Sequence, residues 1–131
     1  EAVKVRQLFG GNWRPAGIPA AAGIVALNTM IDRLIDDHAR AGRLAKGISE
    51  IDGIRTDERS TETNIVLAEP TTMSPEALVD ALSEEGVLVL PFGHRVRLVT
   101  HHEVTDDGVD QVLSAIREVL TGEKHGSQVG R

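Results

Sequence analysis

The sequence predicts an α+β protein in which a long helical segment is followed by elements in the order β-α-β-β-α. Three observations support this prediction: apolar residues at helical spacing up to residue 48, short β-branched runs after residue 62, and helix-start signals at Ser74 and Thr105. The order predicts a two-layer structure, a small antiparallel or mixed sheet with helices on one face.

The first part of the chain predicts helices separated by loops. Residues 1–8 (EAVKVRQL) are typical of the end of a helix and carry no N-cap, which predicts a truncated start. Residues 9–15 (FGGNWRP) predict a break, because glycine and asparagine tolerate positive φ and proline lacks an N–H. Helical spacing then continues to Ile48, and Thr29 followed by Asp32 predicts a second N-cap, so we expect two helices there.

The second part predicts three strands and two helices. The predicted strands are residues 63–67 (TNIVL), 87–90 (VLVL) and 95–101 (RVRLVTH). Ser74 followed by proline and glutamate predicts a helix start, Gly86 predicts the end of that helix, and residues 91–93 predict a turn. Thr105 predicts the cap of the last helix, and residues 122–131 predict a flexible tail.

Composition excludes several classes of function. The chain has 131 residues, 40% of them hydrophobic, and a net charge of −6 from 14 Lys+Arg against 20 Asp+Glu. The absence of cysteine excludes a disulfide scaffold, a thiolate nucleophile and a cysteine zinc site, and it suits the cytoplasm, where we expect the protein. We expect no nucleic-acid partner, because phosphate binding needs positive charge, and no membrane span, because no apolar run approaches ~20 residues.

Two groups of arginines are candidates for anion binding. Arg14 lies in a glycine-rich loop before a predicted helix, where backbone N–H groups and a guanidinium together favour phosphate or carboxylate. Arg95 and Arg97 alternate with Val96 along a strand and therefore share one face, about 7 Å apart. From pattern alone, a surface turn is the favoured interpretation for Arg14 and structural ion pairs are the favoured interpretation for Arg95 and Arg97.

A cluster of histidines follows the third predicted strand. His101, His102 and Glu103 have the residue types of a metal site. Adjacent residues of a strand point to opposite faces, so both imidazoles would not reach one ion. We predict no metal site here.

Six sequence blocks, in order and at compatible spacing, resemble low-specificity L-threonine aldolases, which are pyridoxal-phosphate enzymes of fold type I. The blocks are GGNWRPAG (10–17), AAAGIVAL (20–27), RLIDDHARAGRLA (33–45), TNIV (63–66), EEGVLV (84–89) and RLVTHHEV (97–104). Together they extend over most of the chain, from about Leu8 to Leu120.

The resemblance implies cleavage of threonine or allo-threonine to glycine and acetaldehyde, with the pyridoxal phosphate ring as electron sink. It implies that Arg97 binds the substrate carboxylate. It also implies that Arg14 lies near the cofactor phosphate, commonly in the active site of a neighbouring subunit. It also implies a homo-oligomer with an amino-acid substrate.

The chain departs from the family pattern at several positions. Family members usually read GGGMRQAG, whereas Asn12, Trp13 and Pro15 replace glycine, methionine and glutamine here. Gln7 stands where a basic residue is frequent, and Glu103 replaces an aspartate.

The largest departure concerns the lysine that anchors the cofactor. None of the three lysines, Lys4, Lys46 and Lys124, lies in the turn that carries this residue in the family. The resemblance therefore covers only the family's C-terminal part, so we expect no catalytic residue and no covalently bound cofactor on this chain, which alone would be inactive.

The expected organisation follows from this partial resemblance. Residues 1–28 correspond to the end of the large domain and a linker helix, residues 29–121 to the C-terminal small α+β domain, and residues 122–131 to the tail. The missing N-terminal large domain would be a partner. The alternative is a non-catalytic, ferredoxin-like α+β module that binds a small anion or amino acid, or mediates self-association.

Overall fold

The computed structural model describes residues 1–11 and 13–122. Asn12 and residues 123–131, which include Lys124 and all but the first residue of the predicted tail, lie outside the described residues. The chain divides into two compact units, Glu1–Leu34 and the part that begins at Ile35.

The first unit contains two helices, α1 (Ala2–Leu8) and α2 (Gly17–Thr29), and neither helix has a buried residue. Pro19 lies in the first turn of α2, where its missing N–H has no helical partner to lose. The predicted interruption near residue 29 is confirmed, but the predicted N-cap role of Thr29 is wrong. Thr29 is the last residue of α2, and its Oγ1 donates to the carbonyl oxygen of Val25 at 2.8 Å.

As far as residue 122, the second unit contains a four-stranded sheet and three α-helices, and it confirms the predicted α+β class. Its elements are α3 (Leu34–Ser49), β1 (Ile54–Thr56), a short 3-10 helix (Glu58–Ser60), β2 (Ile65–Pro70), α4 (Pro75–Glu84), β3 (Leu90–Phe92), β4 (Arg95–Val99) and α5 (Asp106–Thr121). The strand order is β1-β2-β4-β3, and every neighbouring pair is antiparallel. The sequence did not predict β1, which adds an edge strand to the expected β-α-β-β-α order.

The hairpin of β3 and β4 corrects two predicted boundaries. Residues 91 and 92, predicted as turn, belong to β3, because the turn is the two-residue Gly93-His94 with Gly93 at φ +60°. The predicted strand 87–90 contributes only Leu90, since the N–H of Val87 donates instead to the carbonyl of Leu82 at the end of α4, at 2.9 Å.

The two helix-start signals are confirmed. Ser74 Oγ accepts a hydrogen bond from the N–H of Ala77 at 3.2 Å, with Pro75 in the first helical position of α4. Thr105 Oγ1 accepts from the N–H of Gly108 at 3.1 Å at the start of α5. These caps fix where α4 and α5 begin.

The core lies on one face of the sheet. Val66 and Ala68 on β2 are buried, as are their register partners Leu98 and Val96 on β4. They form one cluster with helical side chains from α3 (Ala41, Leu44, Ala45, Ile48), α4 (Leu78, Leu82) and α5 (Val109, Leu113, Ala115, Ile116). Because strand side chains alternate, the intervening residues of β2 and β4 point away from this core.

Among the described residues, no single helix is long and apolar enough to cross a membrane. The helices α2 and α3 reach the required length and apolar composition only when they are taken together, as a bent pair.

Candidate functional site

The candidate site is the face of the sheet that points away from the core, which we call the outer face. In its two central strands it consists of Ile65, Leu67 and Glu69 on β2, and Arg95, Arg97 and Val99 on β4. Val99 is exposed and the other five are partly buried, in alternation with the full burial of the core-facing residues. The alternation confirms the prediction that Arg95 and Arg97 share one face.

Arg97 lies in the middle of the outer face. Its register partners are Leu67 on β2 and Leu90 on β3, so its neighbours across both strands are apolar. The side chain is half-buried, and no carboxylate of the described residues forms an ion pair with it. A half-buried guanidinium that has apolar register neighbours and no acidic partner is suited to bind a carboxylate.

Arg95 lies two residues away on the same strand, opposite Phe92 of β3. Its Nε is buried and has no hydrogen-bond partner among the described residues. The nearby Glu69 is bonded to Arg55 of β1, at 3.3 Å between Oε1 and Nη2. The structural ion pairs considered from the sequence for Arg95 and Arg97 are therefore not formed within the described part of the chain.

Thr100 anchors the end of β4, a role that the sequence analysis missed. Its side chain is buried, and Oγ1 donates to the carbonyl oxygen of Asp37 in α3 at 2.7 Å. Its backbone N–H donates to the carbonyl of Asn64 at 2.9 Å, and Asn64 Nδ2 donates to the carbonyl of Thr100 at 2.7 Å. The strand that carries Arg97 is thus tied to both α3 and the start of β2. The sequence signal for this role is a hydroxyl residue directly after an apolar strand.

The histidine cluster lies in a turn, which corrects the predicted extent of the strand to residue 101. β4 ends at Val99, and the N–H of Val104 donates to the carbonyl of His101 at 2.8 Å. The rings of His101 and His102 are 6.0 Å apart, and His101 Nδ1 is 3.8 Å from Glu103 Oε2. The two histidines therefore do not lie on opposite faces of a strand, as the sequence pattern predicts, because neither belongs to a strand. Within the described residues, no three His, Cys, Asp or Glu side chains are grouped to hold a metal ion.

A cavity of about 300 Å³ adjoins the end of β4. Its walls are residues 86–89, residues 98–101 and the first turns of α5, with Leu44 and Val109 among its apolar lining. Val99 of the outer face lines this cavity, whereas Arg97 does not.

Arg14 belongs to the first unit, in the turn before α2. It is exposed, and no described carboxylate forms an ion pair with it. The N-cap of α2 is Ala16, which has no side chain to accept hydrogen bonds from the first-turn amides. Arg14 therefore lies two residues before the N-cap of a helix whose first-turn amides have no side-chain cap, and its role in anion binding stays a prediction.

The two described lysines occupy plain surface positions. Lys4 is exposed on α1, and Lys46 is exposed in the last turn of α3. Neither lines any of the cavities described for this chain.

Comparisons with known proteins show the family of this chain. A family model described as beta-eliminating lyase matches residues 1–71. The Probable low-specificity L-threonine aldolase 2 of Arabidopsis thaliana is 35% identical over 120 residues, covering 88% of this chain and 34% of that relative. The Low-specificity L-threonine aldolase 1 of the same organism is 32% identical, covering 92% and 35%. The Low specificity L-threonine aldolase of Escherichia coli (strain K12) is 32% identical, covering 91% and 34%.

The chain spans about a third of the length of these curated relatives. About two thirds of each relative therefore has no counterpart in the 131 residues.

Proposed function

The chain belongs to the beta-eliminating lyase family, and from that premise we propose that it is the C-terminal portion of a pyridoxal-phosphate enzyme that cleaves threonine or allo-threonine to glycine and acetaldehyde. The names of the relatives support the reaction, and their greater length supports completion of the active site by polypeptide outside this chain. The observation that carries the proposal is the guanidinium of Arg97, half-buried on the outer face without an acidic partner among the described residues.

In this proposal Arg97 binds the carboxylate of the substrate. The planar fork of arginine matches a carboxylate with two parallel hydrogen bonds. Hydrogen bonds to charged groups contribute about 1.5–3 kcal/mol each. The apolar register neighbours Leu67 and Leu90 offer the guanidinium no competing carboxylate.

Arg14 and the start of α2 contact the cofactor phosphate in the same proposal. Uncapped amides at a helix N-terminus carry partial positive charge and favour phosphate. The absence of a side-chain cap at Ala16 leaves these amides open to such a ligand.

This chain's residues fit only the anionic ends of the cofactor and substrate. Bound pyridoxal phosphate supplies an electron sink for the carbanion formed at the substrate Cα. Its attachment needs a lysine, and the exposed Lys4 and Lys46 line none of the described cavities. The anchoring lysine, and the residues that move the proton of the substrate hydroxyl, would come from a large domain outside these 131 residues.

The first unit supports such a partner. Its two helices bury no residue, and several large apolar side chains are exposed, among them Leu8, Phe9, Trp13, Ile18 and Leu27. Exposed apolar patches of this kind mark contact surfaces. We propose that the large domain and a second subunit cover them in a homo-oligomer.

The proposal is tested by reduction with borohydride in the presence of pyridoxal phosphate, followed by peptide mapping. One sample is the 131-residue chain, and the other is a chimera in which this chain replaces the aligned 34% of the Escherichia coli relative. We expect a cofactor adduct only in the chimera, on a lysine outside this chain, together with threonine cleavage. An adduct on Lys4 or Lys46, or a chimera that folds but neither binds the cofactor nor cleaves threonine, would refute the proposal.

A further inference from the structure

A second cavity on the outer face contains a cation and an anion that are not paired. The cavity measures about 320 Å³ and lies over β1, β2, β4 and the 3-10 helix. Arg95 and Asp57 both line it, yet they form no ion pair with each other or with any other described residue. Its volume is at the lower end of the ~300–1,000 Å³ range typical of small-molecule pockets.

Arg95 is the free cation of this cavity. Its Nε is buried and donates to no described acceptor, whereas the other lining arginine, Arg55, is bonded to Glu69 at 3.3 Å and has a 72% exposed side chain. A buried donor without a partner is unfavourable, because the loss of its hydrogen bond to water is not compensated. An acceptor that draws the guanidinium of Arg95 into the cavity offers Nε and a terminal nitrogen the partner that they lack.

Asp57 is the free anion. Its Oδ1 accepts one backbone hydrogen bond, from the N–H of Arg59 at 3.0 Å, and this bond caps the 3-10 helix. The other lining carboxylate, Glu69, is already held by Arg55. A carboxylate has acceptor capacity for several donors, so Asp57 retains room for a cationic ligand.

The charges of the lining select the class of ligand. Arg55 and Arg95 balance Asp57 and Glu69, so the cavity has no formal net charge. A purely anionic ligand meets two carboxylates and a purely cationic one meets two guanidiniums, whereas a zwitterion can satisfy both unpaired groups. The lining Leu67 and the hydroxyl of Ser60 add an apolar wall and a further hydrogen-bonding group.

We propose that this cavity binds a free α-amino acid, with its carboxylate on Arg95 and its ammonium on Asp57. The site goes beyond the proposed function, because it involves neither Arg97 nor the cofactor and lies entirely within the second unit.

The test is titration of the ¹⁵N-labelled 131-residue chain, without cofactor, at constant ionic strength. The probes are glycine, which carries both charges, and acetate and methylammonium, which carry one each. We expect glycine to shift the amide signals around residues 55–60 and 95 in a saturable manner, and each single-charge probe to bind about tenfold more weakly or less. No saturable shift by about 50 mM glycine, or equal binding of acetate and glycine, would overturn the proposal.

Three variants locate the binding. Arg95→Gln should weaken glycine binding about 10- to 100-fold, the loss expected for a charge-assisted hydrogen bond. Arg117→Gln, which removes an exposed arginine on α5 that lines none of the described cavities, should leave it unchanged within twofold. Asp57→Asn keeps an oxygen to cap the 3-10 helix but removes the charge, and it should weaken glycine binding about tenfold without weakening acetate binding.

Asp57→Asn decides the outcome if Arg95→Gln unfolds the second unit. Unchanged glycine affinity in both folded variants would contradict the proposal. Loss of glycine binding in Arg97→Gln with retention in Arg95→Gln would contradict it too, and would instead assign the carboxylate to the site of the proposed function.

Discussion

Thr100 Oγ1 donates a hydrogen bond to the carbonyl oxygen of Asp37 at 2.7 Å, joining the end of β4 to the first turn of α3 across 63 residues of sequence. The bond is buried, so water does not compete for either group. It holds the strand that carries Arg97 at a fixed position relative to the helical layer.

Thr100→Val should therefore destabilise the second unit. The substitution removes a buried hydrogen bond and places a methyl group against the carbonyl oxygen of Asp37, which together should cost about 1–2 kcal/mol. Urea unfolding followed by circular dichroism measures this, because the only tryptophan, Trp13, reports on the first unit. Thr121→Val, which removes an exposed bond on α5, should change stability by less than about 0.5 kcal/mol. If both variants lowered the free energy of unfolding equally, the buried Thr100 bond would contribute no more to stability than an exposed one.

Gly47 of α3 lies directly against Leu113 of α5. A Cβ at this position would lie 2.5 and 2.7 Å from the two methyl carbons of Leu113. Gly47→Ala should destabilise the second unit by about 1–2 kcal/mol, because overpacking of the core outweighs the better helix propensity of alanine. Gly42→Ala, on the same helix with no atom within 4 Å of the new Cβ, should stabilise it by about 0.5–1 kcal/mol. Stabilisation by both variants would contradict this account of the contact.

Arg43 links α3 to α5 through the side chain of Asp110 and the carbonyl oxygen of Asp106, while Arg40 binds the side chain of Asp106 at 3.0 Å. These pairs are largely exposed, so Arg43→Gln should lower the free energy of unfolding by only about 0.5–1 kcal/mol at low salt. Added salt should reduce the difference, since screening weakens exposed pairs. A difference that persists at 1 M salt would indicate a packing effect of the arginine stem instead.

Arg14→Gln should weaken cofactor binding in the chimera with the Escherichia coli relative. Loss of one charge-assisted contact to phosphate predicts a dissociation constant about tenfold higher or more, measured from the cofactor absorbance. Arg6→Gln is the matched control, because it removes a positive charge from the exposed helix α1 of the same unit. If both variants weaken binding equally, only the overall charge of the first unit matters, and the assignment of Arg14 fails.

The sequence predicted the elements whose local signals are strong. Ser74 and Thr105 cap α4 and α5 as their residue types require, and the alternation in β4 places Arg95 and Arg97 on one face. Sequence reasoning also found the family, through ordered blocks rather than any single motif.

The missed features depend on contacts between distant segments. β1 has only three residues, too few to show a periodic pattern, and it exists because it pairs with β2. The apolar run from Val87 is predicted as a strand, but the N–H of Val87 donates a hydrogen bond to the end of α4 and not to a neighbouring strand. The strand β3 forms later in the chain, next to the Gly93 turn. The cavity that joins Arg95 to Asp57 likewise requires β1 and β2 in register, which no local pattern specifies.

The affinity of the chimera for threonine after Arg97→Gln tests the central claim most directly. With the cofactor absorbance unchanged, we predict a KM for threonine raised about 10-fold or more, because the substrate carboxylate loses its charged partner. Arg117→Gln should leave KM unchanged. An unaltered KM in the Arg97→Gln chimera, with cofactor bound and threonine cleaved as before, would contradict the assignment of Arg97 to the substrate carboxylate.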